Sequence, residues 1–174
     1  MLADKLPDRI GGRPVDTGFR KWLRIAKLLQ APLLPEEMQA ILFYNLFGGI
    51  PAQEGAEKLM DEILRFYLCG KSPAPSVGLP KEQLLDWEKD ADAIWADFMI
   101  YARMDLNKAD LHWWEFMALF GSLPKEAAIC RRMDTRAIDL SKIKDPQLKE
   151  EYRKKKAAVS LRAVEKIGQM EKLE

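Results

Sequence analysis

Leu111-His112-Trp113-Trp114-Glu115-Phe116 and, farther on, Ala137-Ile138-Asp139-Leu140-Ser141-Lys142-Ile143 close a stretch that begins at Asp86. Four of the five tryptophans, Trp87, Trp95, Trp113 and Trp114, fall inside it. Apolar residues there recur at helical spacing: Leu84, Trp87, Ala91, Ile94, Trp95, Phe98 and Ala102 form one stripe, and Trp113, Phe116, Leu119 and Phe120 form another. The spacing predicts a helix over about 81–104, then one opened by Asn107 and stopped at Gly121. Both stripes are aromatic, which places the core of a helical fold between Trp87 and Phe120.

Outward from this stretch the same signals repeat. Toward the N-terminus, Gly11-Gly12 between Ile10 and Val15 predicts a small hairpin whose turn needs positive φ, with Pro14 at an edge. Asp16 or Thr17 caps a helix carrying Phe19, Trp22, Leu23, Ala26 and Leu29. Pro35-Glu36-Glu37 opens a second helix that Gly48-Gly49 ends. A third follows Pro51 and stops at Gly70. The segment 71–80, with three prolines, reads as a loop. Toward the C-terminus, Pro124 starts a short helix to about Met133. Asp145-Pro146 is a cap and first-turn signal for a last helix, about 42 Å long if it runs to Leu173. The predicted fold is mainly α, a single helical domain of six to seven helices with a small N-terminal β-hairpin. Residues 1–145 form the body and 146–174 a charged C-terminal helix that projects or folds back.

Of the 174 residues 32% are charged, and the formal net charge is +1, which points away from a strongly basic nucleic-acid binder. No run approaches the roughly 20 apolar residues of a membrane span, and Met1–Asp8 lacks the apolar segment of a signal peptide. Cys69 and Cys130 have no CxxC spacing, and with the single His112 they offer no zinc pattern. They read as reduced thiols, with a disulfide left open.

GxxxxGK[ST], GxGxxG, GxSxG and HExxH are all absent, so nucleotide, dinucleotide, hydrolase and zincin chemistries lack their first requirement. Asp86, Asp90 and Asp97 fall close to one helical line and could face a cation or a substrate. With Lys89 and Arg103 at hand, the expected reading is a solvated or ion-paired face. His112 is the one side chain whose ordinary pKa lies near neutrality. It is expected to donate to Glu115 and pack on the aromatic stripe, with Asp105 or Asp110 as further partners. Trp113 and Trp114 point about 100° apart on a helix, so one is core and the other is part-exposed and free to contact a partner. Charge is uneven along the chain. Ser141–Glu174 carries ten basic and six acidic residues, and Leu84–Glu115 carries eight acidic and three basic. That asymmetry allows a docking arm or head-to-tail self-association, whereas the interspersed glutamates weaken any pull on phosphate.

Trp87-Glu88-Lys89-Asp90-Ala91-Asp92-Ala93-Ile94-Trp95, Met104-Asp105-Leu106, the His-Trp-Trp block and Ile138-Asp139-Leu140-Ser141-Lys142-Ile143-Lys144-Asp145 resemble the bacteriophage "gene product fifteen" family of long-tailed, non-contractile phages and prophages. The likeness extends back to Leu6-Pro7-Asp8, Phe19-Arg20-Lys21-Trp22-Leu23 and Phe66-Tyr67-Leu68-Cys69-Gly70. The family's genes sit among tail genes, near those for the tail-tube subunit and the tape-measure protein. The resemblance therefore implies a tail-assembly, chaperone-like protein of the host cytoplasm. It would bind these tail proteins and need no cofactor, metal or catalytic residue. A structural virion component, such as a head-tail joining or tail-completion protein, is the alternative, followed by a nucleic-acid-binding regulator.

Overall fold

The computed structural model describes residues 5–29, 36–49, 55–71 and 83–161. Among them are a two-stranded hairpin and seven α-helices, so the fold is mainly helical as the sequence predicts. The described residues fall into two compact units, one within Met1–Leu79 and Phe98–Leu123, the other within Pro80–Asp97 and Pro124–Glu174.

In the first unit β1 (Arg9–Ile10) pairs antiparallel with β2 (Arg13–Pro14), Arg9 opposite Pro14 and Ile10 opposite Arg13. Gly11 and Gly12 form the two-residue turn with φ of +56° and +74°, the conformation a tight hairpin demands. A Cβ on Gly11 would meet Leu59 Cδ1 at 2.9 Å, so glycine also lets the hairpin lie against the third helix. Helix α1 (Phe19–Leu29) buries Phe19, Trp22, Ile25 and Ala26. Helix α2 (Glu36–Phe47) buries Leu42, Phe43 and Leu46 and ends as Gly48 takes φ +69° and donates to Tyr44 O. Helix α3 (Ala56–Tyr67) buries Leu59, Ile63 and Phe66. Its end is a paired-hydrogen-bond cap. Gly70 N–H reaches Arg65 O at 2.8 Å and Cys69 N–H reaches Phe66 O at 3.0 Å, with Cys69 at φ +56° and Gly70 at +79°.

The second unit holds helix α4 (Ala91–Asp97), helix α6 (Ala128–Ala137) and helix α7 (Pro146–Ala158), with a short 3₁₀ turn at Leu140–Lys142. A π-helical turn at Phe98–Ala102, in the first unit, stops as Arg103 takes φ +54°. Helix α5 (Trp113–Gly121) completes the first unit.

Several boundaries differ from the sequence expectation. The expected helix over 81–104 is helical only from Ala91 on. Asp86 Oδ1 accepts from the amides of Glu88 and Lys89, both at 3.0 Å, and Asp90 turns back onto the Asp86 amide at 3.1 Å, which holds 86–90 in turns. Ala91 and Trp95 of the expected stripe are exposed, while Ala93 and Asp97 are buried. The fifth helix opens at Trp113 and not after Asn107. Phe19 N–H donates to Leu111 O at 3.0 Å and Trp113 N–H to Thr17 O at 2.7 Å, an antiparallel bridge of Gly18 with His112 that keeps the approach extended. Helix α6 starts at Ala128, four residues past Pro124, where Asp97 supplies its cap. Helix α7 ends at Ala158 with Val159 as C-cap, so it is not continuous to Leu173. The expected starts at Pro35 and Pro51 and most of the 71–80 loop lie outside the described residues, as do residues 162–174.

Candidate functional site

Two clusters gather the residues the sequence singles out, one in each unit. In the first unit the His-Trp-Trp block receives the end of α3. Trp113 Nε1 donates to Tyr67 O at 2.9 Å and Trp114 Nε1 to Phe66 O at 2.8 Å. The indole N–H groups thus reach two carbonyls at the helix end, and Phe66 O accepts the Cys69 amide as well. Trp113 is buried and Trp114 half-buried, the division of roles the 100° spacing predicts. Trp114 also lies over Gly70, where an added Cβ would stand 3.1 Å from Cη2.

His112 sits at the head of α5 as its N-cap. Nδ1 accepts from Trp114 N–H at 3.0 Å, and the His112 amide donates to Glu115 Oε2 at 2.9 Å, a reciprocal capping box. With Nδ1 accepting, the proton of the neutral ring belongs on Nε2, 2.9 Å from Pro7 O. The ring neighbours Phe66 and Trp114 at 5.7 and 6.2 Å. Sequence reasoning finds the Glu115 partnership and the aromatic packing. In the structure, however, it is the His112 backbone that donates to Glu115, and the ring's partners are Trp114 and Pro7 instead of Asp105 or Asp110. Both ring nitrogens are engaged in holding chain, which leaves neither aimed at a substrate.

Behind this node lies a stack of rings. Phe19 and Phe98 each face Phe116 at 5.0 and 5.2 Å, Trp22 faces Phe66 at 4.5 Å, and Tyr67 faces Trp113 at 5.6 Å. Within the first unit, the part of the aromatic segment from Phe98 to Phe120 thus supplies only part of the core, which helices such as α1 and α3 complete. Arg20 pins the loop before α5, donating to the carbonyls of Leu106, Asn107 and Ala109 at 2.7, 3.1 and 3.0 Å.

The second cluster holds the three aspartates, and they do not share a line. Asp86 caps a turn, as above. Asp90 is fully buried and takes both ends of the Arg136 guanidinium, Nη1 to Oδ2 and Nη2 to Oδ1, each at 2.7 Å. Arg132 stands 3.4 Å from Asp90 and makes a two-bond fork with Asp92 at 2.9 and 2.8 Å. Burial alone would raise the Asp90 carboxyl. The hydrogen bonds from Arg136, the Asp86 amide and Arg132 outweigh it and hold Asp90 below its usual range. The Arg132 fork brings the exposed Asp92 down to about 2. Asp97, buried, accepts from the amides of Ala128 and Ile129 at 2.9 and 2.8 Å, so a carboxylate from α4 caps α6. Of the three, Asp90 is ion-paired, with Arg136 and Arg132 and not with Lys89 or Arg103, whereas Asp86 and Asp97 accept from backbone amides, and Asp90 and Asp97 are buried, not solvated. Separation along the chain hid both arginines.

Cys69 and Cys130 are free and half-buried. Burial pushes both thiols up, helped at Cys130 by the carboxylates of Asp97, Asp134 and Glu126, so neither is primed as a nucleophile. No group of three or more His, Cys, Asp or Glu among the described residues is placed to hold a metal ion. No described helix is long and apolar enough to cross a membrane.

Several large apolar side chains are exposed as well. In the first unit Met99, Ile100 and Tyr101 are consecutive and 40%, 57% and 43% exposed, and on α2 Ile41 and Tyr44 are 50% and 66% exposed.

A small, mainly helical protein whose polar clusters join one segment of chain to another is the class these features define. The family described as Bacteriophage Gp15 protein matches residues 2–161, and the chain belongs to it. No curated protein and no solved structure matches the chain.

Proposed function

We propose that this phage protein acts in tail morphogenesis as an assembly chaperone, working by protein-protein contact in the host cytoplasm, with the tape-measure protein and the tail-tube subunit as its partners. Membership of the phage family is the observation that carries the reading. The run Met99-Ile100-Tyr101 supports a binding role, since contiguous exposed apolar side chains are what protein contacts use. The full bonding of His112, Asp90 and Asp97 within the fold supports contact over chemistry, because a general acid or base needs a polar atom within reach of a substrate. The test is co-expression with the long helical tape-measure protein of the same phage. Under this reading the tape-measure protein becomes soluble and co-purifies with the chain. Precipitation of the tape-measure protein alone, with this chain found in purified particles, overturns it in favour of a virion component.

A further inference from the structure

Helix α7 is attached differently from the other helices of its unit. It buries none of its residues. Only Lys149, Tyr152, Lys156 and Val159, one line along its length, are half-buried. Its far end is held by cationic side chains on carbonyl oxygens: Arg136 Nε donates to Val159 O at 2.6 Å, Lys89 Nζ to Leu161 O, and Lys156 Nζ to Ile138 O at 2.8 Å. Helix α6, by contrast, has Ile129 and Arg136 buried and its first amides capped by Asp97.

Burial of apolar area holds helices in place, whereas hydrogen bonds between protein groups largely replace bonds to water. A helix with no buried side chain therefore opens at lower cost than one seated in a core. Arg136 makes this opening local. When Val159 leaves, the guanidinium keeps both bonds to Asp90 and its bond to Leu84 O at 2.7 Å, so no buried charge is stranded. A released segment of 13 residues is too short to stay helical by itself.

We propose that α7 is a releasable strap: it opens as its own cooperative unit, bared along the Tyr152 and Val159 line, while α4 and α6 stay paired through Asp90, Asp97 and Arg136. The proposal is independent of the tail-assembly reading. Native-state hydrogen exchange on the full chain tests it, with rates corrected for local sequence. In the wild type the amides of the last two turns of α7 exchange about tenfold or more faster than those of the last two turns of α6. The double variant Lys89→Ala/Lys156→Ala, which leaves Asp90 and Arg136 intact, quickens α7 by about a further tenfold and leaves α6 unchanged. A single common rate for α7 and α6 in the wild type overturns the proposal. So does a double variant that moves both helices equally, or neither.

Discussion

At the scale of single residues, the node at His112 turns an uncommon choice into a structural one. Histidine is seldom an N-cap, yet here its Nδ1 accepts the Trp114 amide while its own amide is held by Glu115. Removing the ring in His112→Ala leaves an amide and the Pro7 carbonyl without partners. We expect a loss of about 1–2 kcal/mol in chemical denaturation. His112→Asn restores an acceptor at the cap and recovers part of the loss, whereas a catalytic histidine would show no such recovery in stability. Gly70 makes a sharper case, because its φ of +79° and the nearness of Trp114 both disfavour a Cβ. What the sequence conveys at this scale is residue type and near neighbours: the pairing of His112 with Glu115 is three positions long and legible. The contact with Pro7 spans most of the unit, and no periodicity announces it.

At the scale of elements, caps explain which boundaries could be read in advance. Asp145-Pro146 names its own helix, since Asp145 Oδ1 accepts from Gln147 and Leu148 at 2.8 and 3.0 Å, within three residues. The hairpin at Gly11-Gly12 is equally local. The start of α6 could not be read, because its cap, Asp97, lies some thirty residues upstream, and the nearer Pro124 is the stronger local signal. Asp97→Ala strands two amides at a buried helix start, and we expect a loss of about 1–3 kcal/mol, with Asp97→Asn intermediate, measured by urea unfolding. Acid tests the neighbouring pair. Asp90 and Asp92 titrate lower in the folded chain than in the unfolded one, and Asp92 does so at about 2. Their contribution is therefore complete above about pH 4 and is lost as the pH falls through the folded values. A urea midpoint followed from pH 6 down to pH 2.5 should fall below about pH 4, and Asp92→Asn should flatten part of that fall.

At the scale of the whole molecule, the question is how much of the chain the fold requires. The sequence places a boundary at Asp145, before a charged last helix, and α7 buries none of its own residues. A chain truncated after Asp145 keeps the stacked rings of α1, α3 and α5 and the Asp90–Arg136 pair. It loses one acceptor of Arg136, the Val159 carbonyl, and the half-buried faces of Tyr152 and Lys156. With the strap gone, water reaches the Arg136 Nε and replaces that acceptor. The truncated chain should then unfold cooperatively at a midpoint only slightly below that of the full chain, a difference of about 1–3 kcal/mol. If α7 is the arm that grips the tape-measure protein, the same truncation weakens co-purification far more than it weakens the fold. Measuring both on one preparation separates the two roles. Full partner affinity in a folded, truncated chain would remove α7 from the binding surface and leave the exposed apolar residues of α2 and of the π-helical turn to carry it.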